Sequence, residues 1–147
     1  MLLVAHPSHP LTKKKKIVPQ DLAQEPFVLF EAVSNSRRIV DAFFVKERIE
    51  PRIVMETENV EILKALVRSE MGVTIIPYQA VAREVRSGQL FCARISGAQL
   101  VRHTGWVYPR ANKVPRMVAE MFKAYERILP RLSLSPKGRI PGLKNEA

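Results

Sequence analysis

Three sets of residues in this 147-residue chain are of types that could do chemistry. His6 and His9 stand three apart, a spacing that lets two imidazoles share a metal from one face of a helix. Pro7 and Pro10 forbid that helix, and no Asp, Glu or Cys nearby completes a ligand set. Cys92, the single cysteine, lies in an apolar strand with His103 eleven positions on. A thiolate nucleophile needs a partner within hydrogen-bond reach, which sequence separation neither shows nor excludes. A lone cysteine in an apolar run more commonly serves as a small hydrophobe. The third set is polar: Ser34, Asn35 and Ser36 in one turn, Thr57 and Asn59 in another. There is no phosphate loop of the G-x-x-x-x-G-K type and no dinucleotide G-x-G-x-x-G. The residues predict binding rather than catalysis, with no metal and no cofactor.

The elements that position those turns alternate between strand and helix. Residues 2–5 read as a strand stopped by His6-Pro7-Ser8-His9-Pro10, and 19–22 as one short helical turn. Residues 27–30 form a continuous apolar strand, as in a parallel sheet covered on both faces. A helix over 37–46 sets Ile39 with Phe43 and Val40 with Phe44 on one face, with Ser34, Asn35 or Ser36 as its cap. Residues 52–55 read as the next strand, and 56–59 as the turn into a helix striped by Val60, Leu63, Leu66 and Val67. Gly72 takes the place of a helix C-terminal glycine, and 73–76 form a third buried strand closed by Pro77. A helix over 78–86 ends at Gly88, strands follow at 90–95 and 104–108, and a last helix starts at Pro115. Beyond Pro130 the Ser, Pro, Gly and Lys content predicts a loose tail over 131–147. Strand–helix–strand–helix–strand with short connections predicts an α/β layer with a mostly parallel sheet flanked by helices. Ligands of such layers bind where loops leave the carboxyl ends of the strands, here 31–36 and 56–59.

The formal charge of +10 invites a nucleic-acid reading, but its location weakens it. Residues 1–16 carry +4 and 131–147 carry +3, leaving +3 on the long stretch between. Attraction to phosphate backbones needs a concentrated basic surface; the run Lys13 to Lys16 supplies a small one, which fits a solvated loop and at most salt-labile DNA contact. The longest apolar runs are too short to span a bilayer. The first five residues lack a leading positive charge and meet His6-Pro7 too early for a signal peptide. A cytoplasmic protein without membrane contact is expected.

His9-Pro10-Leu11, then Asp21-Leu22-Ala23 and Pro26-Phe27-Val28-Leu29-Phe30, resemble the effector-binding region of LysR-type transcriptional regulators. The likeness continues through Arg52-Ile53-Val54-Met55-Glu56-Thr57, Leu66-Val67 and Gly72-Val73-Thr74-Ile75-Ile76-Pro77 to Trp106-Val107-Tyr108 and the last helix, spanning residues 1 to about 130. The resemblance implies two α/β lobes joined by crossover strands, like periplasmic solute-binding proteins. Residues 1–11 would be the outgoing crossover and an HPL hinge, 12–99 the second lobe, and 100–130 the return strand and C-terminal helix of an incomplete first lobe. DNA contact would come only through an N-terminal winged helix-turn-helix outside this sequence. A last helix deprived of its packing partners predicts self-association, or a helix repacked against the second lobe.

The resemblance also implies a small effector bound between the lobes. By position Phe30, Ser34, Asn35, Thr57, Asn59, Gly72 and Val73 would line the cleft, the polar residues presenting hydroxyl or amide groups and Gly72 allowing close approach. Ser34, Ser36 and Asn59 are equally suited to capping helices. Glu31, Glu56, Glu58 and Glu61 cluster at the two turns and would repel an anion, with Arg37 and Arg38 offsetting them; Glu70 stands where many relatives carry glycine. The rivals are a solute-binding transport receptor, which should carry an export signal and both lobes, and a dimerisation module without ligand.

Overall fold

Phe27, Val28 and Leu29 alternate between two cores, and that alternation organises the molecule. Phe27 and Leu29 join Leu3, Ile75 and Ala93 beneath the first helix, whereas Val28 joins Val4, Ile76 and Cys92 beneath the next two. A strand buried on both faces alternates in direction but not in polarity. Burying each large aliphatic or aromatic side chain in these layers contributes about 1.5–3 kcal/mol.

The computed structural model describes residues 1–103, 105, 107 and 115–131. They divide into two compact units, one of Met1–Arg102 and one beginning at His103. In the first unit the strands are β1 (Leu2–Ala5), β2 (Pro26–Leu29), β3 (Arg52–Glu56), β4 (Thr74–Ile76) and β5 (Phe91–Ala93). The helices are α1 (Asn35–Glu47), α2 (Val60–Arg68) and α3 (Tyr78–Arg86), with 3-10 turns at Pro10–Lys13 and Pro19–Leu22. β2 and β3 are parallel neighbours. The Val28 N–H donates to the Val73 carbonyl at 2.9 Å and the Val73 N–H to Pro26 at 2.8 Å, which joins β2 to the start of β4. β1 pairs antiparallel with β4 on one side and β5 on the other. The order is therefore β3-β2-β4-β1-β5, all parallel except β1.

β1 is thus an integral strand of the lobe's own sheet, paired along both edges. Because it runs against its neighbours, Leu2 lies beside Ile76 at the carboxyl end of β4, and the His9-Pro10-Leu11 turn lies beyond its opposite end. α1 packs Val40, Phe43 and Phe44 on the sheet, with Phe44 edge-on to Phe27 at 5.0 Å between ring centres. The Ser34 hydroxyl accepts from the Ser36 N–H, so α1 starts at Asn35, two residues earlier than the apolar stripe indicates. Asn59 Oδ1 accepts from the N–H groups of Glu61 and Ile62 and caps α2.

One helix ending differs from expectation. After α2 the left-handed residue is Glu70 (φ 59°), not Gly72. Gly72 is required for another reason: a Cβ there would lie 2.4 Å from the Pro26 carbonyl oxygen. Gly88, with φ 74°, does end α3 as expected.

The second unit carries α4 (Arg116–Ile128) and the turn Leu129–Arg131. None of the α4 residues is buried. The expected return strand at 104–108 and the tail at 131–147 fall, but for Gly105, Val107 and Arg131, outside the described residues.

Candidate functional site

The carboxyl ends of β2 and β3 lie side by side. The Thr57 N–H, just past β3, donates to the Leu29 carbonyl at the end of β2 (3.1 Å). Arg37, in the first turns of α1, is only 8% exposed. Its Nη1 donates to the Phe30 carbonyl (2.8 Å) and to the Glu56 carboxylate, while its Nε donates to Asp41 Oδ1 (2.7 Å). Burial opposes the guanidinium's charge, but the hydrogen bonds to Glu56 and Asp41 outweigh it and hold Arg37 protonated above its ordinary value. Glu31 and Glu58 also meet across the turns. Desolvation, the neighbouring Glu58 charge, the hydrogen bond with Glu58 and the Glu56 charge raise the Glu31 carboxyl above the usual range.

Five of the seven residues expected at the site are brought together here. Phe30 is half-buried and offers its carbonyl to Arg37. Ser34 caps α1, Asn35 is exposed in the first turn, Thr57 Oγ1 accepts from the Asn59 N–H (3.1 Å), and Asn59 caps α2. Gly72 and Val73 are not beside them. β2 and β4 run parallel, so the residues leading into β4 align with Pro26 and Phe27 at the opposite end of the sheet. Val73 is fully buried and Gly72 packs on backbone; both serve the core. The residue that sequence reasoning undervalued is Arg37, which it assigned only to offsetting glutamates. The available signal was Asp41 four positions on, which fixes a guanidinium along a helix face.

The acidic character of the turns is partly met: Glu56 pairs with Arg37, and Glu61 with Lys64 at 2.8 Å. The other reactive residues have structural surroundings. His9 Nδ1 accepts from the Leu11 N–H and its Nε2 faces Glu25 at 3.3 Å, while His6 Nδ1 lies 2.7 Å from Ser8 Oγ. Among the described residues no group of three or more His, Cys, Asp or Glu could hold a metal. Cys92 is buried, and burial pushes its thiol up to about 11, so it is protonated at neutral pH. No helix among the described residues is long and apolar enough to cross a membrane.

A mostly parallel sheet with helices on both faces, and two polar turns joined at the carboxyl ends of β2 and β3, has the architecture of a lobe of the periplasmic-binding-protein type. The family model described as LysR substrate binding domain matches residues 1–128, and the chain belongs to that family. The HTH-type transcriptional activator CmpR of Synechocystis is 30% identical over 125 residues, 85% of this chain and 41% of the activator. The chain therefore spans about two fifths of that relative's length. Among solved structures, the regulatory domain of CcmR from Synechocystis in complex with 2-PG aligns with TM-score 0.62 at 18% identity, over 90% of this chain and 62% of that one. The effector-binding domain of QuiR in complex with shikimate aligns with TM-score 0.59 at 24% identity, over 67% of this chain and 46% of that one. Both share the fold. CmpR is a transcriptional activator, and neither the transport-receptor nor the ligand-free dimerisation alternative is favoured.

Proposed function

We propose that this chain forms the effector-binding lobe of a LysR-type transcriptional regulator, with turns 31–36 and 56–59 as one wall of a cleft for a small molecule. The observation that carries the reading is Arg37, whose buried guanidinium ties the ends of β2 and β3 into a single edge. Phe30, Ser34, Asn35, Thr57 and Asn59 would face the ligand. Regulation requires that the ligand bind two arrangements of the regulator unequally, since equal affinity shifts nothing. DNA would be read by a winged helix-turn-helix elsewhere in such a regulator.

The test is thermal unfolding with 2-PG and with shikimate, the molecules held by the two structural neighbours. A ligand at a hundred times its Kd is expected to stabilise the lobe by about 2.7 kcal/mol. The pair Ser34→Ala and Thr57→Val should remove most of that shift. An undiminished shift in the double variant would place the ligand elsewhere.

The reading includes self-association through α4, whose Met117, Met121 and Ile128 are all exposed. Sedimentation velocity is expected to show concentration-dependent assembly that is lost on Met121→Glu. A monomer at all concentrations would contradict it.

A further inference from the structure

We propose that Arg37 is a positioning residue that makes the two turns move as one body, so that the cleft wall is set before any ligand arrives. The functional meaning of this inference rests on the effector-lobe reading; the coupling itself does not.

If Arg37 merely balanced the nearby glutamates, an exposed cation such as its neighbour Arg38 would serve. Arg37 is instead buried, and a buried guanidinium persists only where its donors are met. Its partners come from three separate elements: Asp41 from α1, the Phe30 carbonyl just past β2, and Glu56 as the last residue of β3. Asp41 lies one helical turn along α1 and orients the planar group through Nε. The same nitrogen, Nη1, then serves both turns. Neither turn can shift without weakening the bond that holds the other.

The connection extends to the helices. Glu56 is followed by Thr57, which accepts from the Asn59 N–H, and Asn59 caps α2. On the other side Ser34 caps α1, the helix that carries Arg37 itself. One cation therefore sets the start of α1 against the start of α2. A lysine, a compact point charge without the planar fork, cannot hold three directions at once.

The experiment is amide hydrogen exchange on the full chain without ligand, resolved by NMR at Ser34, Ser36, Thr57 and Asn59, each of whose N–H groups donates a hydrogen bond. Arg37→Met is expected to speed exchange at all four by about ten- to a hundredfold, the range for losing one charged hydrogen bond, with α3 and β5 unchanged. Arg37→Lys should recover part of the protection. Glu56→Gln should loosen Thr57 and Asn59 more than Ser34 and Ser36, and Arg38→Met should leave all four as they are. If Arg37→Met fails to fold, the lysine and Glu56→Gln variants carry the same comparison. Loosening confined to the α1 side, or spread evenly through the lobe, or absent, overturns the coupling. A wild-type chain that binds neither 2-PG nor shikimate would count against the effector reading and leave the exchange pattern untouched.

Discussion

Replacing Gly72 with alanine is expected to destabilise the lobe by about 3 kcal/mol and to lower its melting temperature by on the order of 10 °C. The added Cβ would lie 2.4 Å from the Pro26 carbonyl oxygen and 3.0 Å from the Pro26 carbonyl carbon. Both are backbone atoms, so no side chain can rotate away; β2 and the start of β4 must separate. The two backbone hydrogen bonds joining those strands, Val73 to Pro26 and Val28 to Val73, lie at the same point. Each contributes about 0.5–1.5 kcal/mol, and they are the seam between the two halves of the sheet. Gly88→Ala is the control. It keeps a left-handed backbone under strain but meets nothing within 4 Å, so it should cost about 1 kcal/mol. Thermal melts followed by circular dichroism decide the matter: a Gly72→Ala protein melting within about 2 °C of wild type would refute the packing role.

The second large effect concerns Lys64 and Glu84, which join α2 to α3 on the other face of the sheet. Lys64 Nζ donates to Glu84 Oε1 at 2.7 Å, and both side chains are buried. Glu84 Oε2 is itself buried without a partner among the described groups. Removing the cation with Lys64→Met would leave an uncompensated buried carboxylate, and is expected to cost about 3–5 kcal/mol at neutral pH. The double variant Lys64→Met, Glu84→Met should recover most of that loss, since an apolar pair avoids the desolvation of both charges. The exposed Glu61 arm adds little.

The pair also sets a pH dependence. Burial opposes the charged form of Glu84, but the hydrogen bond and charge of Lys64 outweigh it, holding the folded carboxyl below its ordinary value. Its stabilisation is therefore complete above the unfolded carboxylate pKa of about 4.3 and is lost as pH falls through the lower folded value. Lys64 is raised, with burial again opposing and Glu61 and Glu84 prevailing. Its contribution is present below the unfolded lysine pKa of about 10.4 and is lost as pH rises through the higher folded value. Urea unfolding from pH 2 to 7 should show a flatter acid limb in the double variant, by the linkage that ties stability to proton uptake. An acid limb identical to wild type, or a single variant as stable as the double, would contradict this account.

Much of the layer was legible from residue order. The 27–30 run, the Ile39, Val40, Phe43 and Phe44 positions and the Leu63 and Val67 pair are local patterns, and each element they predict is present. The polar turns after β2 and β3 were legible for the same reason: a turn between a buried strand and an amphipathic helix needs capping residues, and Ser34 and Asn59 supply them. Gly72 misled because glycine serves two unrelated purposes. Nothing local distinguishes a left-handed helix end from a close backbone crossing, and here Glu70 takes the first role.

What residue order determined by itself is therefore the set of elements, their buried faces, and the two turns with polar groups to offer. Those follow from hydrophobic period and capping preference, which operate over a few residues. Only the tertiary structure decided which ends meet. It ran β1 against its neighbours, left Gly72 and Val73 at the opposite end of the strands from the two turns, and buried Arg37 between two turns separated by a whole helix and strand. Strand direction and neighbour choice are settled by contacts between distant segments, and no short pattern along the chain encodes them.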